Sequence, residues 1–192
     1  MSEKFKTNAR DRLPIGQKLA VGAGGFPVQN GGLIVQYMAQ PIFQIFLGLN
    51  PALFGLAMTI PRIWDAFTDP LMGRISDRSK SRYGRRRPYV FMGAFLMAIS
   101  FITIWMVPQN MGDMGIFLWL TVGSVLFFTA FTVYSVPFNA LVYEQTPDYH
   151  ERTRLMFYLA LFYNLGNLCV NWYVPATSWS GFDNPLVGAR WI

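Results

Sequence analysis

The feature that most constrains the fold of this chain is a series of long apolar runs separated by short gaps. Apolar residues dominate near 20–47, 52–73, 88–107, 115–141 and 154–175, and a sixth run begins at 186. About 20 apolar residues in a helix, rising about 1.5 Å each, cross the hydrocarbon core of a bilayer, which is about 30 Å thick. Only 14% of the residues are charged, which is low for a soluble domain. The runs therefore predict an all-α integral membrane protein that crosses the bilayer several times.

Basic residues concentrate in alternate gaps between these runs. Five Lys and Arg residues precede the first run, seven lie between the second and third, and two lie between the fourth and fifth, whereas the other gaps carry none. The positive-inside rule places the basic gaps in the cytoplasm. We therefore predict a cytoplasmic tail over 1–18 and a transmembrane bundle over 19–192. The net charge of +6 then reflects membrane orientation, and we expect no nucleic acid partner.

The second run contains three charged residues, Arg62, Asp65 and Asp69, which share one helical face at 100° per residue. A charge in hydrocarbon costs a few kcal/mol or more unless it is paired, hydrated or bound to an ion. Arg62 is the predicted charge partner, but one arginine cannot neutralise two carboxylates. The other carboxylate then needs a proton or a cation, for which Thr68 or Thr132 would supply a hydroxyl ligand. The competing interpretation is a purely structural salt bridge with Arg62.

Polar side chains also share one face in the first, fourth and fifth runs, whereas the third run offers few. We predict that four helices surround a wet cavity and that the third helix faces lipid. The alternative is that these side chains form hydrogen bonds between packed helices. The candidate substrate-cavity residues are Gln29, Gln36, Ser135, Asn139, Asn164 and Asn167.

Catalytic chemistry has little support in the sequence. The chain contains one histidine, His150, and one cysteine, Cys169, and no paired nucleophile and base is apparent. We therefore expect neither an enzyme, nor a cofactor, nor a tightly bound metal.

A family resemblance is carried by the second apolar run and the basic gap that follows it. The run contains Arg62-Ile-Trp-Asp65-Ala-Phe-Thr-Asp69-Pro70-Leu-Met-Gly73, and the gap contains Asp77-Arg78 and Ser81-Arg82-Tyr83-Gly84-Arg85-Arg86-Arg87-Pro88. Together they resemble the signature of the glycoside-pentoside-hexuronide:cation symporters, the melibiose permease-like branch of the major facilitator superfamily. The resemblance implies that Asp65 and Asp69 bind the coupling Na+, Li+ or H+ with help from Thr132 on the fourth helix. It also implies a cytoplasmic gate made of Gly73, Asp77, Arg78, Arg85, Arg86 and Arg87.

The same resemblance implies the N-terminal six-helix bundle of such a transporter, truncated after span 5 and the start of span 6, with a C-terminal six-helix half missing. The implied location is a bacterial plasma (inner) membrane with the N-terminus in the cytoplasm. The implied function is symport of a small solute, such as a sugar or glycoside, with a monovalent cation. Gln29, Ser135 and Asn139 replace charged or aromatic sugar-binding groups of the family, and Thr68 replaces an asparagine. Sodium-coupled transport of a lysolipid or other amphiphile is therefore the alternative.

Overall fold

The computed structural model describes residues 12–108 and 111–177, together with Gly188. Five long helices occupy these ranges: α1 (Ile15–Ala39), α2 (Pro51–Arg78), α3 (Arg87–Trp105), α4 (Asp113–Tyr143) and α5 (Tyr149–Thr177). A π-helical segment, Gln40–Phe46, continues α1 without a break. No strand occurs in these ranges, and the predicted all-α class is confirmed. The predicted sixth span lies outside the described residues, apart from Gly188.

The helices extend beyond the predicted spans at one end of the bundle. α1 begins at Ile15, so Lys18, which was expected in a solvated tail, is part of the helix. α2 continues to Arg78 although its apolar run ends near 73, and α5 begins at Tyr149 rather than near 154. Hydropathy marks the thickness of the hydrocarbon, whereas a helix ends where its backbone leaves the helical conformation. The sequence therefore located the helices but not their polar ends.

The turn before α2 defines where the helix with the predicted cation ligands begins. Gly48 has a φ of 70°, a backbone conformation that residues other than glycine rarely adopt. The side chain of Asn50 then accepts a hydrogen bond from the backbone nitrogen of Ala52 at 2.9 Å. This bond caps the helix and satisfies one of its free amide groups.

Three helix pairs form the main contacts: α3 packs on α4, α2 packs on α4, and α1 packs on α5. Glycines allow two of these pairs to approach closely. A Cβ atom added at Gly93 of α3 would lie 2.6 Å from the backbone nitrogen of Tyr134 in α4. On α1, a Cβ atom at Gly22 would meet the ring of Phe162 in α5. Small residues at such crossings are typical of packed membrane helices.

Contacts between α1 and α4 join these pairs into one bundle. The hydroxyl of Tyr134 donates a hydrogen bond to the backbone carbonyl of Gly24 at 2.6 Å. Two apolar clusters fill the bundle, and Tyr134 belongs to the smaller one. The larger one includes Phe43, Trp105 and Phe127, and the smaller one includes Phe138 and Leu155.

α3 exposes most of its surface, since its buried residues are Gly93, Ile104 and Trp105. Phe91 and Phe95 are among its exposed apolar side chains, which is consistent with the predicted contact with lipid. By length and composition, α3 and α4 are the two described helices apolar enough to cross a membrane. α1, α2 and α5 are all longer than α3. Polar and charged residues interrupt their apolar runs, and several of these belong to the candidate sites.

Candidate cation and solute site

The two carboxylates of α2 lie one helical turn apart, so the 3.6-residue period brings them to the same face. Asp65 is half-buried and Asp69 is exposed in the part of the chain that the structure describes. The Oδ1 atom of Asp65 is buried and has no hydrogen-bond partner there. Buried carboxylate oxygens are normally satisfied by a donor or an ion. An unsatisfied oxygen beside a second carboxylate is therefore suited to a cation or a proton.

Thr132 of α4 completes this group of oxygens. Its hydroxyl donates a hydrogen bond to Oδ1 of Asp69 at 2.8 Å, and the residue is 2% exposed. A hydroxyl that donates its proton still has lone pairs that can coordinate a cation. The structure thus joins Asp69 to Thr132 across the α2–α4 contact, with Asp65 one turn away on the same face.

Thr68, the fourth predicted ligand, bonds back to its own helix. Its hydroxyl donates to the backbone carbonyl of Trp64 at 3.2 Å. The indole nitrogen of Trp64 in turn donates to the hydroxyl of Thr129 at 2.9 Å. The bond between Trp64 and Thr129 adds a second link between α2 and α4 beside the carboxylates.

Arg62 does not form the predicted ion pair. No nitrogen of Arg62 lies within 4.0 Å of a carboxylate oxygen in the described ranges. Its Nη2 atom instead donates to Oε1 of Gln36 at 3.3 Å, and its guanidinium lies 4.9 Å from the ring centre of Phe128. Helical spacing brought Arg62 to the face of the carboxylates, but neighbouring side chains of α1 and α4 offer it other contacts.

The predicted substrate-cavity residues are only partly brought together. Gln36 meets Arg62, whereas Asn139 lines a separate cleft of about 150 Å³ between α4 and α5, beside Ala160 and Tyr163. Ser135 is buried, with 7% of its surface exposed, and its place in the substrate cavity stays a prediction. The three remaining candidates, exposed or half-buried on α1 and α5, are Gln29, Asn164 and Asn167.

A network of ion pairs at one end of the bundle connects α2 and the end of α4 with the residues just before α3. Arg86 contacts Asp77 at 2.5 Å and Glu144 at 2.8 Å, and Arg85 contacts the same Glu144 oxygen at 2.8 Å. The hydrogen bond from Arg86 lowers the pKa of Asp77, which lies beyond the predicted span. Among the described residues, the network includes neither Arg78 nor Arg87.

Glu144 and Gly73 bear on the predicted gate. Glu144 was not predicted as a gate residue, although an acid after the fourth apolar run could have been matched by charge to the basic gap. Gly73 lies near α4, since a Cβ atom there would lie 3.9 Å from the nearest atom of Val136. Its role in a gate stays a prediction.

A second ion-pair cluster lies at the same end and was not predicted. Glu151 is completely buried and contacts Lys18 at 2.5 Å and Arg154 at 3.3 Å. It also accepts a hydrogen bond from the backbone nitrogen of Leu13 at 3.0 Å. Burial alone would raise the pKa of Glu151, but the bonds from Lys18 and Leu13 hold it below its usual value. The cluster ties the start of α1 to the start of α5.

Carboxylates and hydroxyls inside a bundle of membrane-length helices, with ion pairs at one end, are the features of a membrane transport protein. The chain belongs to the family described as MFS/sugar transport protein, which matches residues 20–179. It is thus an integral membrane protein of a transporter family, as the resemblance implied.

Individual relatives carry symporter names. The Synechocystis protein named "Uncharacterized symporter sll1374" is 34% identical over 76% of this chain and 28% of its own length. The mouse sodium-dependent lysophosphatidylcholine symporter 1 is 32% identical over 78% of this chain and 29% of its own length. The Escherichia coli protein YagG, whose name proposes glycoside/cation symport, is 29% identical over 91% of this chain and 37% of its own length. The chain therefore spans about a third of the length of these relatives.

Proposed function

We propose that this chain forms the cation-binding part of a secondary active symporter that moves a small solute together with Na+, Li+ or H+. The contact between α2 and α4 carries the proposal. Thr132 bonds to Asp69 at 2.8 Å, and a buried oxygen of Asp65 has no partner among the described residues. Oxygen ligands of this kind suit a hard cation, and a proton on one carboxylate would serve the same electrostatic purpose.

The cation would act by removing the repulsion between two like charges. Without it, Asp65 and Asp69 repel each other in a medium of low dielectric constant. Because Thr132 belongs to α4, a cation held by all three residues would favour one arrangement of α2 and α4 over others. A ligand shifts a conformational equilibrium only through such differential binding. This preference is what would couple the ion to the movement of the solute.

For the solute, we propose a sugar, a glycoside or a related small molecule. The name of YagG and the family description support this class. The alternative is sodium-coupled transport of a lysolipid or other amphiphile. It is supported by the name of the mouse relative and by the apolar side chains beside Arg62, namely Val35, Met58 and Phe128.

The proposal also assigns an orientation and a partner. The end that carries the ion pairs of Asp77, Arg86 and Glu144 would face the cytoplasm of a plasma (inner) membrane, as would the N-terminus. These pairs, with the basic residues around them and Gly73, would hold the cytoplasmic end closed. A C-terminal six-helix half would supply the opposite wall of the solute pathway, since transporters of this kind hold the solute between two halves.

The test is uptake by the full-length transporter in proteoliposomes, with and without an inward Na+ gradient, across a panel of glycosides and lysolipids. The Asp69→Asn variant should lose both Na+ binding and cation-stimulated uptake. Asp113→Asn is the matched control, because Asp113 is an exposed carboxylate in the first turn of α4. Thr132→Val should weaken cation binding about tenfold to hundredfold, since it removes one oxygen ligand of the cation, and a polar contact with a charged group contributes about 1.5–3 kcal/mol.

Two results would contradict the proposal. One is uptake that ignores both the Na+ gradient and the pH gradient. The other is an Asp69→Asn variant that binds and responds to Na+ as well as Asp113→Asn does.

A further inference from the structure

Arg62 holds a positive charge that no described carboxylate neutralises within ion-pair distance. Its contacts are one hydrogen bond to the neutral amide of Gln36 at 3.3 Å and the ring of Phe128, 4.9 Å from the guanidinium carbon. Such a charge inside a membrane-spanning helix is costly unless water or an anion satisfies it. The side chain is exposed rather than buried, so a ligand can reach it.

Arg62 borders a cavity of about 280 Å³ between α1, α2 and α4. A guanidinium group has five N–H donors in one plane, and the bond to Gln36 uses one of them. The guanidinium carbon lies 4.9 Å from the centre of the Phe128 ring, and this ring is held in place because Phe128 is 4% exposed. The contacts with Gln36 and Phe128 keep the guanidinium at the cavity and leave other N–H donors for a ligand. The other residues that line the cavity are Val35, Gln36, Met58 and Thr59.

We propose that this cavity binds an anionic group of the transported solute, a carboxylate, phosphate or sulfonate, through paired N–H bonds from Arg62. Guanidinium matches the geometry of such oxyanions with two parallel hydrogen bonds. Val35 and Met58 provide apolar contact for the adjoining carbon atoms of the solute. This inference rests on the proposed symporter function and specifies its solute class.

The neighbouring carboxylates would make anion binding depend on the cation. Arg62, Asp65 and Asp69 together carry one net negative charge when both acids are ionised, which disfavours an anion at Arg62. A bound Na+ brings this group to neutrality and removes the repulsion. Binding linkage is reciprocal, so the anionic solute would tighten Na+ binding by the same factor. Arg62 would therefore contribute to coupling through charge as well as to recognition.

The test compares matched pairs of probes that differ in the anionic group. Octyl glucuronide is paired with octyl glucoside, and a lysophosphatidic acid is paired with the monoacylglycerol of the same chain. Binding of each probe to the full-length transporter is measured with and without Na+. Within the pair that matches the natural solute, we expect the anionic member to bind about tenfold to hundredfold more tightly in Na+. The pair that shows the preference distinguishes a sugar acid from a lipid phosphate.

Arg62→Gln should remove this preference, because it should lower the affinity for the anionic member far more than the affinity for the neutral member. Arg62→Lys should keep part of it, because the charge remains but the paired donors do not. Gln36→Leu, which removes the amide tether and keeps the charge, should weaken the preference and provides a second variant if Arg62→Gln fails to fold.

The proposal would be overturned if the wild type bound both members of each pair equally. It would also be overturned if Arg62→Gln weakened the neutral and anionic members alike and reduced Na+ binding, since Arg62 would then belong to the ion site. Binding of Na+ alone to the wild type, and its loss in Asp69→Asn, is measured separately. The cation site can therefore be verified even when the anion site fails.

Discussion

The buried ion pair between Lys18 and Glu151 provides a direct test of how the N-terminal ends of α1 and α5 are held together. Glu151 is fully buried, and 9% of the Lys18 side chain is exposed, with the charged atoms 2.5 Å apart. Glu151→Gln removes the charge but keeps a carbonyl oxygen to accept the Leu13 amide. The change leaves the Lys18 ammonium buried without its counter-ion.

Removing one partner of a buried ion pair destabilises a protein by about 3–5 kcal/mol. For a domain of this size, 1 kcal/mol corresponds to about 2–4 °C in melting temperature, so Glu151→Gln should lower it by about 10 °C. Glu144→Gln is the matched control because Glu144 forms its ion pairs while its side chain is 52% exposed. An exposed pair contributes about 1 kcal/mol or less.

The assay is thermal unfolding of the full-length protein in detergent, followed by tryptophan fluorescence. The double variant Lys18→Met/Glu151→Gln should recover most of the loss, because neither position then carries a buried charge. The reasoning is refuted if Glu151→Gln melts no lower than Glu144→Gln. It is also refuted if the double variant is less stable than Glu151→Gln alone.

Two further predictions concern helix packing and pH. Gly93→Ala should lower stability by about 1–3 kcal/mol, since its Cβ would lie 2.6 Å from the Tyr134 backbone nitrogen. Gly73→Ala, with its nearest atom at 3.9 Å, should be neutral or slightly stabilising, and equal losses in thermal melts of the two variants would contradict this. The pKa of Glu151 lies below its usual value of 4.5. Burial raises this pKa, but the bond from Lys18 and the other bonds lower it by more than burial raises it. A carboxylate whose pKa is lower in the folded state than in the unfolded state stabilises the fold at pH values above the unfolded pKa. The difference in melting temperature between wild type and Glu151→Gln should therefore stay constant above pH 4.5 and shrink below it. A difference that grows on acidification would refute the assignment.

Local rules predicted the helices and the placement of charges on their faces. Asp65 and Asp69 share a face because they are four residues apart, which follows from the helical period alone. Thr132 was one of two hydroxyl ligands that the sequence suggested, the family resemblance favoured it, and the structure shows its 2.8 Å bond to Asp69. The roles of these residues in ion binding stay predictions.

Contacts between distant parts of the chain were less accessible from the sequence. Arg62 was expected to pair with a carboxylate of its own helix, yet it contacts Gln36 and Phe128 from α1 and α4. Neither Glu144 nor Glu151 was predicted to form an ion pair, although each is the centre of an ion-pair cluster. Helical spacing shows which side chains share a face but not which helix that face meets.

By itself, the sequence determined that the chain forms long apolar helices, where they lie, and that one of them carries two acids on one face. These properties depend on hydropathy and on the helical period, both of which are local. Only the tertiary structure decided which charges meet, because pairing depends on which helices adjoin and how closely they approach. The crossing of α3 over α4 at Gly93 and the burial of Glu151 beside Lys18 are set by such contacts. The cavity beside Arg62, and with it the proposed anion site, is formed only where α1, α2 and α4 come together.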